Sequence, residues 1–225
     1  KILICSKQEK VVDRIMKFFC KFVAVTNDQH LFDFMNYLIT RTSCSDKVVR
    51  YRACQSICMI ISAMGENAEI DDALWDMIST CLVVRLRDKH PAVRLWALKG
   101  LKEFQDPSNS SDVITQEFIR LMESDTSKEV RVAAIQTIVL TTSSLFSVLH
   151  RLRDIKQDVR LACIQRLSEI EAVQLQKVQL SLFVKYGLGD RDETVRAAAM
   201  SLVVKWMQTL KFNIPKLLQL VGLRS

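Results

Sequence analysis

DKHPAVRLWALKGLKEFQDP occupies residues 88–107, and its reading decides the fold. Within it the pair Val93-Arg94 follows Asp88, with Ala97, Leu98 and Leu101 after it. Offsets of 0, 4, 5 and 8 from the valine lie on one face of an α-helix. Pro91 suits the first turn of that helix, where a missing N–H costs no intrahelical bond. Asp106-Pro107 ends it, and the polar stretch from Asp106 to Asp112 reads as a turn between repeats.

The same pattern recurs along the chain. Val-Arg pairs stand at Val49-Arg50, Val93-Arg94, Val130-Arg131, Val159-Arg160 and Val195-Arg196, spaced by 44, 37, 29 and 36 residues. Asp88, Asp125, Asp154 and Asp190 each precede their valine by five positions, while in the first repeat the aspartate has slipped to Asp46. Four positions past each valine comes a small residue: Ala53, Ala97, Ala134, Cys163 and Ala199. Such a residue lets a neighbouring helix approach closely. An aspartate in the turn before a helix can accept orphan backbone N–H groups and oppose the positive helix terminus. It can also pair with an arginine of its own or an adjacent repeat.

An amphipathic segment precedes each Val-Arg helix, so the repeating unit is a helical hairpin. First (A) helices are expected near 28–42, 71–87, 112–124, 142–153 and 173–188. Second (B) helices are expected near 46–64, 91–105, 127–141, 156–170 and 191–211. Segment 9–25 reads as the last helix of a preceding repeat, and 214–223 as the start of another. The expected fold class is therefore all-α, an α-solenoid of HEAT-type repeats, read as one continuous unit over 1–225. No polar capping repeat is evident at either end, so the chain reads as a fragment.

Composition agrees with a packed fold. The 225 residues are 49% hydrophobic and 25% charged, with five Gly and three Pro. Among the seven cysteines, Cys54, Cys58 and Cys163 sit at apolar helical positions, which suits free thiols in a reducing compartment. No signal peptide is expected. The longest run without Asp, Glu, Lys or Arg, Val132 to His150, contains Gln136 and six hydroxyl residues and makes a poor membrane span. A nuclear and cytoplasmic protein is expected. The net charge of +7 and pI of about 9.1 suggest an acidic partner, with nucleic acid the first candidate.

The stretch from Asp88 to Pro107 resembles the HEAT-repeat G subunits of condensin, in which a DK-x-P-x-VR turn opens a helix closing on L-x-x-L/F-QDP. Gln105-Asp106-Pro107 is the most specific part. Leu121 to Asp125 followed by Glu129-Val130-Arg131, and Gly187 to Asp192 followed by Val195-Arg196, fit the same register. The resemblance covers about residues 30 to 215. It implies a non-catalytic solenoid that binds a kleisin segment and, with it, clamps duplex DNA in a basic groove during chromosome compaction. ATP hydrolysis would belong to the SMC subunits, which are indirect partners. The implied localisation is nucleus and chromosome.

A phosphate grip needs many cations on one surface. Arg85, Arg87 and Lys89, then Arg151, Arg153 and Lys156, then Lys185 and Arg191, cluster at A–B turns. A second set projects from the B helices: Lys47, Arg50, Arg52, Lys99, Lys102, Arg166 and Lys205. The family resemblance implies that B helices line the concave face. The DNA candidates are thus Lys47, Arg50, Arg52, Arg85, Arg87, Lys89, Lys99, Lys102, Arg151, Arg153 and Lys156. Each of these has an ordinary alternative as a solvated or helix-stabilising cation, and the Val-Arg arginines are read first as ladder residues. No base-reading module occurs, so binding without sequence preference is expected.

No catalytic, metal or cofactor chemistry is expected. Cys54, Cys58 and Cys81 lack the fourth ligand and tight loop of a zinc site, and His30, His90 and His150 fall in different repeats. Gly187-Leu188-Gly189 lacks the remaining features of a phosphate loop. Trp75, Trp96 and Trp206 read as packing residues, and Trp96 also as a possible anchor for a kleisin segment. The alternative function is a protein-only scaffold, such as a karyopherin-like carrier or phosphatase scaffold, against which the positive charge and the QDP segment argue.

Overall fold

The structure, a computed structural model, describes residues 10–23, 28–64, 71–109, 111–211 and 213. These residues form α1 (Lys10–Val23), α2 (Asp28–Arg41), α3 (Lys47–Met64), α4 (Asp72–Arg85), α5 (Pro91–Gly100), α6 (Val113–Ser124), α7 (Lys128–Thr137), α8 (Thr142–His150), α9 (Gln157–Leu167), α10 (Lys177–Phe183) and α11 (Glu193–Thr209). Short 3-10 turns lie at Lys102–Phe104, Arg151–Arg153 and Ala172–Gln174, and a π-helical turn at Val184–Leu188. No strand occurs among the described residues. The chain adopts the all-α HEAT-repeat fold that the Val-Arg spacing implies.

Differences from the expected bounds are local. The B helices stop at Gly100, Thr137 and Leu167, short of the expected 105, 141 and 170. At α7 the cause is the β-branched run Thr137 to Val139, where Ile138 turns extended with ψ 136°. The last A helix begins at Lys177, not 173, because Gln176 and Gln179 form a reciprocal capping box there. The expected segment 214–223 lies outside the described residues.

The chain divides into two compact units, residues 1–118 and 119–225, with the boundary inside α6. In the first, B helices α1, α3 and α5 pack in series, A helices α2 and α4 pack on each other, and each A helix packs on its own B helix. The core here is Ala53, Cys54, Ile57, Ile78, Leu82, Ala97, Leu98 and Leu101, all buried. At Gly100 a β-carbon would stand 2.9 Å from Leu82 Cδ1, so glycine permits this close approach of helices. In the second unit α7, α9 and α11 form the B series, and α8 packs on α10. Its core includes Ala134, Ile135, Cys163, Ile164, Phe183 and Trp206. The offset stripe narrows in α11, where Met200 is 58% exposed and Leu202 and Trp206 take the buried positions.

One polar device repeats through the stack. Each turn aspartate accepts the N–H two residues ahead: His90 on Asp88 (2.9 Å), Ser127 on Asp125 (2.8 Å), Lys156 on Asp154 (2.9 Å) and Asp192 on Asp190 (2.8 Å). The Val-Arg arginine lies one turn into the helix, and helical side chains lean toward the N-terminus. Its guanidinium therefore reaches back six residues to a carbonyl: Arg94 to Asp88 O (2.8 Å), Arg131 to Asp125 O (2.8 Å), Arg160 to Asp154 O (3.0 Å) and Arg196 to Asp190 O (2.7 Å). In the first repeat Arg50 makes the same bond to Cys44 O at 2.9 Å, which needs no aspartate.

The remaining guanidinium edge faces the next repeat. Arg50 binds Asp88 bidentately at 2.6 and 3.0 Å, Arg131 binds Asp154 at 2.9 and 2.9 Å, and Arg160 binds Asp190 at 2.6 and 2.9 Å. All three pairs have side chains no more than 10% exposed. Burial alone would raise these carboxyls, but the paired guanidinium and the turn N–H outweigh it, so Asp88, Asp154 and Asp190 lie below the usual aspartate range.

Asp190→Asn leaves Arg160 buried without its charge partner. The substitution is expected to lower the unfolding free energy by about 3 kcal/mol in urea titrations. Because the folded carboxyl lies below its ordinary value, its stabilisation is fully present above about pH 4 and is lost as pH falls through the folded value. The variant should therefore show a flatter acid limb than the parent chain. A urea midpoint equal to that of the parent would contradict the ladder's energetic role.

Candidate nucleic-acid interface

The ladder brings successive A–B turns side by side within each unit. In the first unit Arg50 joins its turn to Asp88, and Arg85 Nη1 donates to Thr42 O at 3.1 Å. Lys47 opens α3 and is exposed, lining a groove of about 270 Å³ with Tyr51, His90, Pro91 and Val93. Lys89 is exposed in the adjoining turn. In the second unit Arg191 Nη2 donates to Ile155 O at 3.0 Å, and Gln157 Nε2 to Asp192 at 2.9 Å. Arg153, Lys156, Lys185 and Arg191 are exposed around this junction.

Several expected contact residues are instead committed to protein. Arg52 has no exposed surface; it pairs with Asp13 at 2.6 Å and bonds Gln55 at 2.7 Å. Arg50 is buried in the ladder. Neither offers a surface to a phosphate, and both leave the candidate set. Arg85 and Arg151 share one structural task. Each stands three residues before its ladder aspartate, lies 3.6 or 3.7 Å from it, and bonds a carbonyl of the preceding A-helix end, Thr42 O or Glu123 O. Arg87 is 69% exposed but bonded to Glu117, and Lys102 pairs with Glu103 at 3.1 Å. Of the remaining B-helix cations, Arg166 reaches Ile138 O and Glu169, Lys205 reaches Ser168 O, and Lys99 lies over the Trp96 ring at 4.9 Å.

Lys99, near the C-terminal end of α5, is likewise exposed without a carboxylate partner; at the turns the exposed set that survives is Lys47 and Lys89 in the first unit and Arg153, Lys156, Lys185 and Arg191 in the second. None of the six pairs with a carboxylate among the described residues. The staple role of Arg85 and Arg151 was available from their shared position three before the aspartate. The contact of Arg153 and Lys185 with the Tyr186 ring has no sequence signal of that kind.

No family model matches the chain. It is 30% identical over 231 residues to Condensin complex subunit 3 of Homo sapiens and 32% identical over 234 residues to that of Xenopus laevis, each alignment covering 96% of this chain. A chain in the crystal structure of the S. pombe condensin Cnd3-Cnd2 subcomplex superposes with a TM-score of 0.85 at 27% identity, over 98% of this chain and 29% of that one. The chain belongs to the condensin subunit 3 family. It spans about a quarter of the length of the curated relatives it matches, 23% and 22%.

In this condensin HEAT segment Cys20, Cys54, Cys58 and Cys163 are buried packing residues. Burial pushes the Cys81 thiol up to about 12 and those of Cys20 and Cys58 up to about 11. Trp206 is buried, with Nε1 donating to Ile170 O at 2.9 Å, and Trp75 stacks edge-on with Phe104 at 4.7 Å. Trp96 is half-buried and meets Tyr51 edge-on at 6.4 Å. No helix among the described residues is long and apolar enough to cross a membrane.

The division between structural and exposed cations is testable by stability. Arg52→Ala should cost about 2 kcal/mol or more, through lost packing and the buried Gln55 side chain left without its donor. Lys89→Glu and Lys156→Glu should stay within about 0.5 kcal/mol of the parent in the same urea titration. Equal effects for buried and exposed sites would contradict the assignment.

Proposed function

We propose that this chain is a non-catalytic condensin segment that binds a kleisin segment and grips duplex DNA without reading its sequence, in mitotic chromosome condensation at the chromosome. The observation that carries the DNA reading is the set of exposed, carboxylate-free cations at adjoining turns: Lys47 and Lys89 in one unit, Arg153, Lys156, Lys185 and Arg191 in the other. Long side chains on turns can meet phosphates, but present no helix or strand to a groove. The similarity to a chain solved as a Cnd3-Cnd2 subcomplex supports a kleisin partner. SMC subunits are then contacted only indirectly, and no cofactor or membrane takes part. The repeat register continues in sequence through the unit boundary, which supports reading 1–225 as one repeat domain.

Binding of a short duplex, followed by anisotropy across a salt series, tests the DNA half. The association constant is expected to fall with salt at a log–log slope of about −0.9 per phosphate contact. Lys156→Glu with Arg191→Glu, and separately Lys47→Glu with Lys89→Glu, should weaken binding and flatten that slope while melting as the parent does. Absence of duplex binding at low salt, with a kleisin fragment bound as well as without it, would leave the protein-only scaffold as the better reading. For the partner half, Trp96 beside the groove of about 270 Å³ is the proposed anchor. Trp96→Ala should weaken capture of a kleisin fragment at least tenfold, as loss of an interface hot spot does, and unchanged capture would move the anchor elsewhere.

A further inference from the structure

The π-helical turn at Val184–Leu188 follows the seven-residue α10. Such a turn holds about one residue more than an α-turn, so whatever follows is rotated by about 100° from continued α-helix. In and just before this turn Phe183 and Gly187 face the core, Lys185 is exposed and Tyr186 is half-buried. Gly189 closes the turn, and a β-carbon there would stand 2.6 Å from Lys185 O, so only glycine fits. The backbone is therefore held closely around Tyr186.

Two cations lie over the Tyr186 ring. Lys185 Nζ is 5.1 Å from its centroid and Arg153 Cζ 5.2 Å, the latter arriving from the preceding turn. Arg191 is tied to Ile155 O at 3.0 Å, which brings it beside exposed Lys156. The ladder aspartates of these two turns are withdrawn: Asp154 is taken by Arg131 and Asp190 by Arg160, both buried, while Asp192 caps α11 and accepts from Gln157. What remains outside is a pair of cations from two repeats over one aromatic ring, with Lys156 and Arg191 exposed in the same two turns.

We infer that Tyr186 is a positioning residue for phosphate binding. Its π face holds Arg153 and Lys185 in one arrangement before the ligand arrives, so less side-chain freedom is lost on binding. The ligand is the duplex phosphate backbone, and the inference rests on the DNA reading above. Tyr186 itself contributes no charge, and this separates its effect from that of the cations it carries.

The test compares Tyr186→Leu, Tyr186→Phe and Lys185→Ala in the full chain, using one duplex across a salt series, with thermal melting to check folding. Tyr186→Leu keeps the apolar bulk and removes the ring. It is expected to bind about fivefold more weakly with an unchanged log–log salt slope. Tyr186→Phe keeps the ring and should bind as the parent does. Lys185→Ala should reduce the slope by about 0.9. Should Tyr186→Leu melt early, Tyr186→Met serves in its place. Parental affinity in the ring-less variant, or a loss shared by Tyr186→Phe, overturns the positioning role while the DNA reading stands. Failure of the parent chain to bind duplex at all sinks that reading and this inference with it.

Discussion

The stack depends on the arginine that bonds two repeats at once. Its Nη1 edge fastens the turn of its own helix through a backbone carbonyl, as Arg131 does to Asp125 O and Arg160 to Asp154 O. Its other edge takes both carboxylate oxygens of the next repeat. Apolar stripes alone specify that one hairpin lies against another, but not the register, because dispersion and burial are nearly indifferent to small slides. A buried guanidinium whose donors are satisfied in only one geometry is not indifferent, since a slip leaves charge in a low-dielectric site. The aspartate adds a third constraint by holding the N–H at the head of its own helix, so turn, helix start and neighbour are fixed by two side chains.

This arrangement also sorts the charges. The ladder pairs Arg50 with Asp88, Arg131 with Asp154 and Arg160 with Asp190, and each pair is electrically neutral and buried. The surplus of +7 therefore belongs to the other residues of the chain. In the turns the effect is direct: the acidic member faces inward and Lys89, Lys156 or Arg191 faces water. A device that stabilises stacking thus leaves an exposed cation beside the buried aspartate at three turns, Lys89, Lys156 and Arg191, whatever the partner.

Most of the fold was legible because its determinants are periodic. The Val-Arg pair, the aspartate five before the valine and the small residue four after it repeat with the hairpin, and repetition separates them from chance. The candidate site was less legible. Lys47, Arg50 and Arg52 look alike as a basic cluster at the head of α3, yet one is exposed and two are buried, one on Asp88 and one on Asp13. The difference is set by which way each side chain points and what stands opposite 38 or 39 residues away, and a count of positive residues carries neither. Arg85 and Arg151 are ambiguous in sequence for a related reason: a cation at a helix C-terminus is favourable to the helix anyway, and here each ties to the preceding A helix.

Cations that remain exposed face the entropic problem of long side chains, which lose up to about 2 kcal/mol of rotamer freedom each when fixed. The structure reduces that freedom in advance by resting them on aromatic rings: Arg41 on Tyr37 at 4.9 Å, Lys99 on Trp96 at 4.9 Å, and Arg153 and Lys185 on Tyr186 at 5.2 and 5.1 Å. Each contact is worth only about 0.5–1 kcal/mol at such sites, too little to hold a fold together and comparable to what ordering one side chain costs. That comparison sets the scale of their effect. The ladder, with its buried bidentate pairs, determines whether the turns exist in register. The aromatic platforms act on a smaller scale, on how freely the cations above those turns move.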